Sequence, residues 1–501
     1  MAKILLINPP TIPTSPTMPL NLAYLAAALE NKGHKVRCID YLAPYNLEDA
    51  FETVKKFRPH IVGFTLRIDC IIEKYDFIKK MRQKYHKALY VAGGSHASCE
   101  PEEVLRHSGA DLVIIGEGEE TIVEIADKID SDNFSKSEIS GCAYIDEKNN
   151  FQFSAMRKPV ADLDTLPLPA YHLFPLENYT KTKNPNFNRL FWSMFTSRGC
   201  PRNCIFCVSR NVFDRRYRAR SAQNVFSEIN LLYEKYGVRH IAIQDDEPLI
   251  DKARIYDLCS KLIEYGKKDL TLSARCRITS IDRDILNIMA KAGFNFIAFG
   301  IESGDDETLK KIKKFYTFSQ IEKGFAEIEA SDLRNINIGI LAGFPWENKN
   351  NFRNNIRLLR AVPKAVNFNF AVATLIPYPK TELYEMYYQK FGFKDWWLRG
   401  SPLKGYETGE TFFGKYAPSL DILKAHNKNF WRFSLRQKLA LFNLALNLEY
   451  VKLERKHKHP ILMVLLALIS YNLHRVSLGL EKAAFFFLKP MESYITAIYG
   501  A

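Results

Sequence analysis

Cysteine is scarce in this chain. Its 501 residues hold nine, six of them scattered, which excludes the disulfide framework of small secreted domains. Long apolar runs are scarce as well. The run from Ile461 to Ser470 is about half of the ~20 residues that cross a bilayer, and His474, Arg475, Glu481 and Lys482 interrupt the apolar stretches beyond it. The opening "MAKILLINPP" closes its apolar run with prolines before a signal-length segment forms, and no small-residue cleavage site comes after it. These absences point to a reducing, cytoplasmic compartment. Acid is the minority charge, 56 Asp and Glu against 70 Lys and Arg, and the net charge of +14 invites an acidic partner. Nucleic acid, an anionic membrane face and a phosphorylated cofactor all satisfy that charge. What is present is ordinary globular material: 47% apolar and 25% charged residues, enough for two or three domains with real cores and too apolar for a disordered chain.

The first 150 residues alternate short apolar runs with helical periods. "KILLIN", "VRCID", "HIVGFT", "ALYVAGG" and "DLVIIGEG" are predicted strands. "LNLAYLAAALENKG" and the stretches near Leu47 to Phe57, Ile71 to Tyr85, Pro101 to His107 and Glu119 to Asp130 are predicted helices. Five such units imply a doubly wound parallel sheet, in which ligands bind beyond the carboxyl ends of the strands. The rim is then "NPPTIPTSP", "TLRID" with Leu66 and Arg67, "GGSHAS" with Gly93, Gly94 and Ser95, and "GEGEE" with Gly116, Glu117 and Gly118. The glycines either admit a bulky ligand close to the backbone or only make tight turns. Residues 151–187, including the proline-punctuated "LDTLPLPAYHLFPLENY", read as a linker. Six further apolar strands with helices between them, over residues 188–395, suggest a partial barrel with its active site at the C-terminal strand ends. Residues 396–501 read as mostly helical.

"SRGCPRNCIFCVSR", residues 197–210, places Cys200, Cys204 and Cys207 directly after the first of those strands. Zinc takes four ligands, commonly as two separated pairs, and would need Cys259 or Cys276 from afar. An iron–sulfur cube held by three thiolates is the other reading, and it leaves one iron without a protein ligand.

C-x3-C-x2-C with Phe206 before the last cysteine resembles the signature of the radical S-adenosylmethionine (radical SAM) enzymes. The resemblance implies that Cys200, Cys204 and Cys207 bind a 4Fe–4S cluster whose open iron is chelated by SAM. An electron from the cluster then yields a 5′-deoxyadenosyl radical, so an external donor such as flavodoxin or ferredoxin is implied. "IAIQDDEPLID" is similar to the family's second-strand segment, making Asp245, Asp246 and Glu247 candidates for the SAM ammonium. "ARCRITSID" places Arg277, and "FGIESGDDETL" places Glu302 and Ser303, where related sequences face the cofactor. "GFPWENKNN" and "IPYPKTELYE" depart from the family's turns at Trp346 and Lys380.

"ILLINPP", "PLNLAYLAAALENKGHKVRCIDY", "AGGSHASCEPEEVL" and "IIGEGEET" resemble the flavodoxin-like cobalamin-binding domain of one branch of that family. The branch includes carbon methylases and the anaerobic magnesium-protoporphyrin ester cyclase. The implied reaction is methylation of an unactivated carbon, with radical cyclisation as the alternative. The loop after the first strand lacks the D-x-H-x-x-G histidine that ligates cobalt elsewhere, and His60, in "RPHIVG", reads as structural. An RNA methylthiotransferase is disfavoured: no cysteine follows strand one, and no RNA-binding β pattern ends the chain. A non-catalytic cobalamin or iron–sulfur sensor is the remaining rival. The basic flank and apolar stretches past Arg455 suit either an anionic membrane interface, with a lipid-like substrate, or ordinary packing.

Overall fold

The computed structural model describes residues 1–10, 18–41, 49–176, 179, 191–347, 354–363 and 365–398. They form two compact units, residues 1–272 with 377–398, and residues 273–376.

In the first unit, β1 (Lys3–Asn8), β2 (Lys35–Asp40), β3 (Ile61–Thr65), β4 (Leu89–Gly93) and β5 (Leu112–Ile114) pair in parallel. The sheet continues with β6 (Cys142–Ile145) and β7 (Phe151–Phe153), which are antiparallel, and its order is β2-β1-β3-β4-β5-β6-β7. Every residue of β3 is buried, as the unbroken run "IVGFT" requires of a strand covered on both faces. Helices Leu20–Asn31, Ala50–Phe57, Ile71–Lys84, Pro101–Ser108 and Glu119–Asp130 connect the strands. The chain crosses from one side of β1 to the other between β2 and β3. That reversal opens the crevice in which doubly wound folds take ligands, beyond the C-terminal ends of β1 and β3. The antiparallel hairpin β6–β7 extends the predicted sheet.

After β7 the chain runs irregularly through the single turns Leu163–Thr165 and Tyr171–Leu173. Tyr171, 1% exposed, docks it beside Trp192, with ring centroids 5.5 Å apart. β8 (Phe191–Met194) leads to a two-stranded antiparallel ribbon of β9 (Ser197–Arg198) and β10 (Arg218–Ala219). β11 (His240–Ile243) pairs in parallel with β8. Helix Ala222–Tyr236 joins β10 to β11, and helix Lys252–Tyr265 leads to β12 (Thr271–Cys276). Residues 377–398 return to this unit: the Leu383 N–H donates to the Ile205 carbonyl at 2.9 Å, and the Trp397 indole N–H to Glu103 at 2.8 Å.

In the second unit β13 (Phe294–Glu302), β14 (Asn335–Ala342) and β15 (Asn367–Thr374) pair in parallel, separated by helices that include Phe318–Glu329 and Ile356–Ala361. The strand–helix alternation predicted for the barrel is present from β8 to β15. Among the described residues no helix is long and apolar enough to cross a membrane. The predicted C-terminal tail, and most of the "NPPTIPTSP" loop, lie outside the described residues.

Candidate active site

The three cysteines sit on the excursion between the two strands of the ribbon, residues 199–217. Gly199 has φ +81°, and a Cβ there would overlap the Arg216 carbonyl oxygen, so the two ends of the excursion touch where only glycine fits. A turn closed by the Cys207 N–H on the Cys204 carbonyl (3.2 Å) draws the last two cysteines together, and helix Ser209–Phe213 comes next. All three cysteines are half-buried. Burial pushes the Cys207 thiol up to about 11 and raises Cys200 as well, and Cys204 repels the thiolate form of both. Cys200 and Cys207 therefore favour the protonated thiol, and a metal that binds them must displace the protons. Among the described residues no three His, Cys, Asp or Glu side chains converge as a single-ion site does. A cube-shaped cluster takes one thiolate at each of three corners, the donor set that this loop carries. Phe206 is half-buried on the same loop. Cys259, weighed as a fourth zinc ligand, is a core residue of helix Lys252–Tyr265, its thiol lifted to about 12 by burial.

The acidic segment after β11 divides its labour. Asp245 is 2% exposed, and its carboxylate accepts the Thr196 N–H (2.7 Å), the Thr196 hydroxyl (2.5 Å) and the Ser197 hydroxyl (2.6 Å). It fixes the bend between β8 and the ribbon, and Arg254 braces the same bend through the Thr196 hydroxyl at 3.1 Å. Asp246 accepts the Ser209 hydroxyl at 2.5 Å, which brings it to the cysteine loop. Glu247 is buried beside them.

At the rim of the first sheet, Leu66 is fully buried and acts through its backbone: its N–H donates to the Gly93 carbonyl (2.7 Å) and its carbonyl accepts the His96 N–H (3.1 Å). Gly94, at φ +101° and ψ −178°, lies so close that a Cβ would be 2.8 Å from the Leu66 oxygen. That glycine is required by its neighbours in the protein. Ser95, half-buried, opens helix Ser95–Cys99, and Arg67 extends outward beside Asp69 at 3.1 Å. The Gly116 N–H donates to the Ser98 hydroxyl at 3.0 Å, and Gly118 precedes helix Glu119–Asp130. Between them Glu117 accepts two hydrogen bonds from Arg218 (2.9 and 2.7 Å), one from the Val160 N–H (2.9 Å), and lies 3.3 Å from Arg198. His60 accepts the Lys3 N–H on Nδ1 at 2.9 Å, at the opposite, N-terminal end of the strands.

In the second unit Arg277, just past β12, donates to the Lys314 carbonyl and lies over the Tyr316 ring at 5.0 Å. Lys314 is 3.1 Å from Glu302, which sits at φ +69° at the end of β13 where the pairing with β14 is irregular. The Ser303 hydroxyl donates to Asn355 (3.1 Å) and accepts the Asp305 N–H (3.1 Å). In the "GFPWE" turn, Glu347 accepts the Gly343 N–H at 2.6 Å.

Sequence reasoning passed over Arg198, Arg218, Glu119, Arg220, Glu228 and Arg254, a buried ionic layer behind the cysteine loop. Glu228 is fully buried and pairs with Arg220 and the Tyr171 hydroxyl. One signal was available: "RYRAR" alternates arginines with period two, which places Arg216, Arg218 and Arg220 on one face of an extended segment.

Residues 194–359 match the radical SAM superfamily model and residues 13–126 the B12-binding domain model. An uncharacterised methyltransferase of Pyrococcus horikoshii is 31% identical over 76% of this chain and 82% of its own length. The anaerobic magnesium-protoporphyrin IX monomethyl ester cyclase of Cereibacter sphaeroides is 27% identical over 63% of this chain and 52% of its own. The solved structure of OxsB, a cobalamin-dependent SAM radical enzyme with aqua-cobalamin and SAM bound, superposes with a TM-score of 0.65 at 20% identity, over 80% of this chain and 57% of that one, a likeness of fold. The two matched regions and the Pyrococcus relative, aligned over most of its length, make this chain a member of the radical SAM superfamily with a B12-binding domain ahead of its radical SAM region.

Proposed function

We propose that the chain is a cobalamin-dependent radical SAM methyltransferase acting on an unactivated carbon. The observation that carries this reading is the placement of a three-cysteine loop and a doubly wound sheet in one compact unit, the loop's two ends joined to the sheet's rim through Glu117. When bound, the cluster with SAM supplies a hydrogen-abstracting carbon radical, and cobalamin supplies a transferable methyl group. Cys200, Cys204 and Cys207 are the cluster ligands in this reading. Asp246 and Glu247 stand beside them for the SAM ammonium, while Asp245 keeps the loop's entry bend. Arg277, Glu302 and Ser303, at the ends of β12 and β13, are candidates for SAM by their resemblance to the family's segments. Leu66, Arg67, Gly93, Gly94, Ser95, Gly116 and Gly118 form the rim where cobalamin would lie. The loop between β1 and helix Leu20–Asn31 has no histidine in its sequence, so this reading assigns no histidine of that loop to cobalt. The Pyrococcus relative's name favours methyl transfer, and the cyclase relative supports cyclisation as the second reading. An external flavodoxin or ferredoxin would supply electrons, and the apolar tail favours a lipid-like substrate.

Anaerobic turnover with methyl-labelled SAM separates the two reactions: label enters the product of a methylase and is absent from that of a cyclase. Reconstituted protein should hold about four irons per chain, and Cys204→Ala should lose both the cluster and SAM cleavage. Iron retained by that variant, or zinc bound in place of a cluster in the parent, would refute the reading.

A further inference from the structure

The strongest unassigned feature is the ionic layer between the "GEGEE" loop and the ribbon. Arg198 and Arg218 stand directly opposite each other across the antiparallel pair, an arrangement of like charges that disfavours pairing unless it is neutralised. Glu117 neutralises it. Its carboxylate takes a two-pronged contact from Arg218, lies 3.3 Å from Arg198, and also accepts the Val160 N–H. Glu119 takes the other side of Arg198 at 2.6 Å, and the Arg198 guanidinium lies over the Tyr24 ring at 5.2 Å. The four side chains are between 7% and 11% exposed, and their charges sum to zero. Arg198 precedes Gly199 and stands two residues before Cys200, while Arg218 ends the excursion that carries all three cysteines. One carboxylate from the end of β5 therefore holds both ends of the cysteine loop.

We propose that Glu117 is a positioning residue: paired with Arg198 and Arg218, it fixes the cysteine loop to the rim of the first sheet and so sets a single spacing between what each carries. The inference rests on the functional reading above for what that spacing serves. The clamp itself stands on protein contacts alone. A rigid paired geometry of this kind is what a transfer between two bound groups requires, since small displacements of reacting partners are costly.

Glu117→Gln keeps the shape and removes the charge. Hydrogen exchange on the cofactor-free full chain should be at least about tenfold faster in residues 199–217 of this variant, while β1, β3 and β4, which open only with global unfolding, stay protected over the minutes in which the loop exchanges. In protein loaded with cob(II)alamin and reduced cluster, the distance between the two paramagnetic centres, read by pulsed electron paramagnetic resonance, should broaden from one narrow distribution to a wide one. Glu102→Gln, which breaks the exposed Glu102–Arg106 pair, is the control and should alter neither. If Glu117→Gln folds poorly, Arg218→Lys, which keeps the charge but loses the two-pronged contact, should give the same direction with a smaller effect. Unchanged exchange in residues 199–217 in both variants overturns the clamp. Faster exchange with an unchanged distance distribution overturns the positioning role. A parent chain that takes up neither cobalamin nor iron refutes the functional reading, and the exchange result then still decides the clamp.

Discussion

Glu117 carries its charge almost out of solvent, and pH acts on it with a definite sign. Burial pushes its carboxyl up, but the hydrogen bonds from Arg218 and the charge of Arg198 outweigh this and hold it below the ordinary glutamate value. A carboxyl lowered by folding stabilises the fold above its unfolded value, and that contribution is lost as pH falls through the folded one. Denaturant titrations should therefore find Glu117→Gln weaker than the parent by about 3 kcal/mol at neutral pH, because two buried guanidinium groups lose their partner. The difference should shrink steadily as the pH is lowered below the ordinary glutamate range. Gly94→Ala should cost ~3 kcal/mol in the same assay, since its backbone region is nearly closed to other residues and the Leu66 carbonyl blocks a Cβ. At this scale the cysteines were legible because their spacing along the chain is itself the signal. The separate tasks of Asp245 and Asp246 were not. Adjacent residues point to different surroundings, and only the fold reveals that Thr196 and Ser197 occupy the first while Ser209 meets the second.

Strands buried on both faces announce themselves in sequence, and β1, β3, β4 and β5 lie where continuous apolar runs placed them. β6 and β7 escaped because they are short and partly exposed, with Phe153 46% exposed at the sheet edge, so neither a run nor an alternation stands out. β9 and β10 are two residues each, defined by pairing that no local pattern encodes. Helix boundaries fared better where a side chain marks them. Ser221 opens helix Ala222–Tyr236 by accepting the Asn224 N–H at 3.1 Å, and its own N–H donates to Asp164 at 2.9 Å. Ser221→Ala should cost about 1 kcal/mol of stability, measured by thermal or denaturant unfolding, with the iron content unchanged. A larger loss, or lost iron, would mean that this cap also supports the ribbon two residues upstream.

For the whole chain the net charge of +14 and the tail lead to a test of location. The full chain should sediment with anionic liposomes and release with salt, while a chain ending near Lys452 should stay in the supernatant. Equal binding by both would remove the lipid-like substrate from consideration. The first unit has a further property: it is discontinuous. Glu103 accepts from Trp397, 294 residues later, and Ile205 from Leu383. During synthesis on the ribosome, at ~5–20 residues per second, Glu103 waits on the order of 15–60 s for that indole. The sheet can form early, but its unit stays open until residues 377–398 emerge, so the order of biogenesis places completion of the first unit after synthesis of the whole described part of the second.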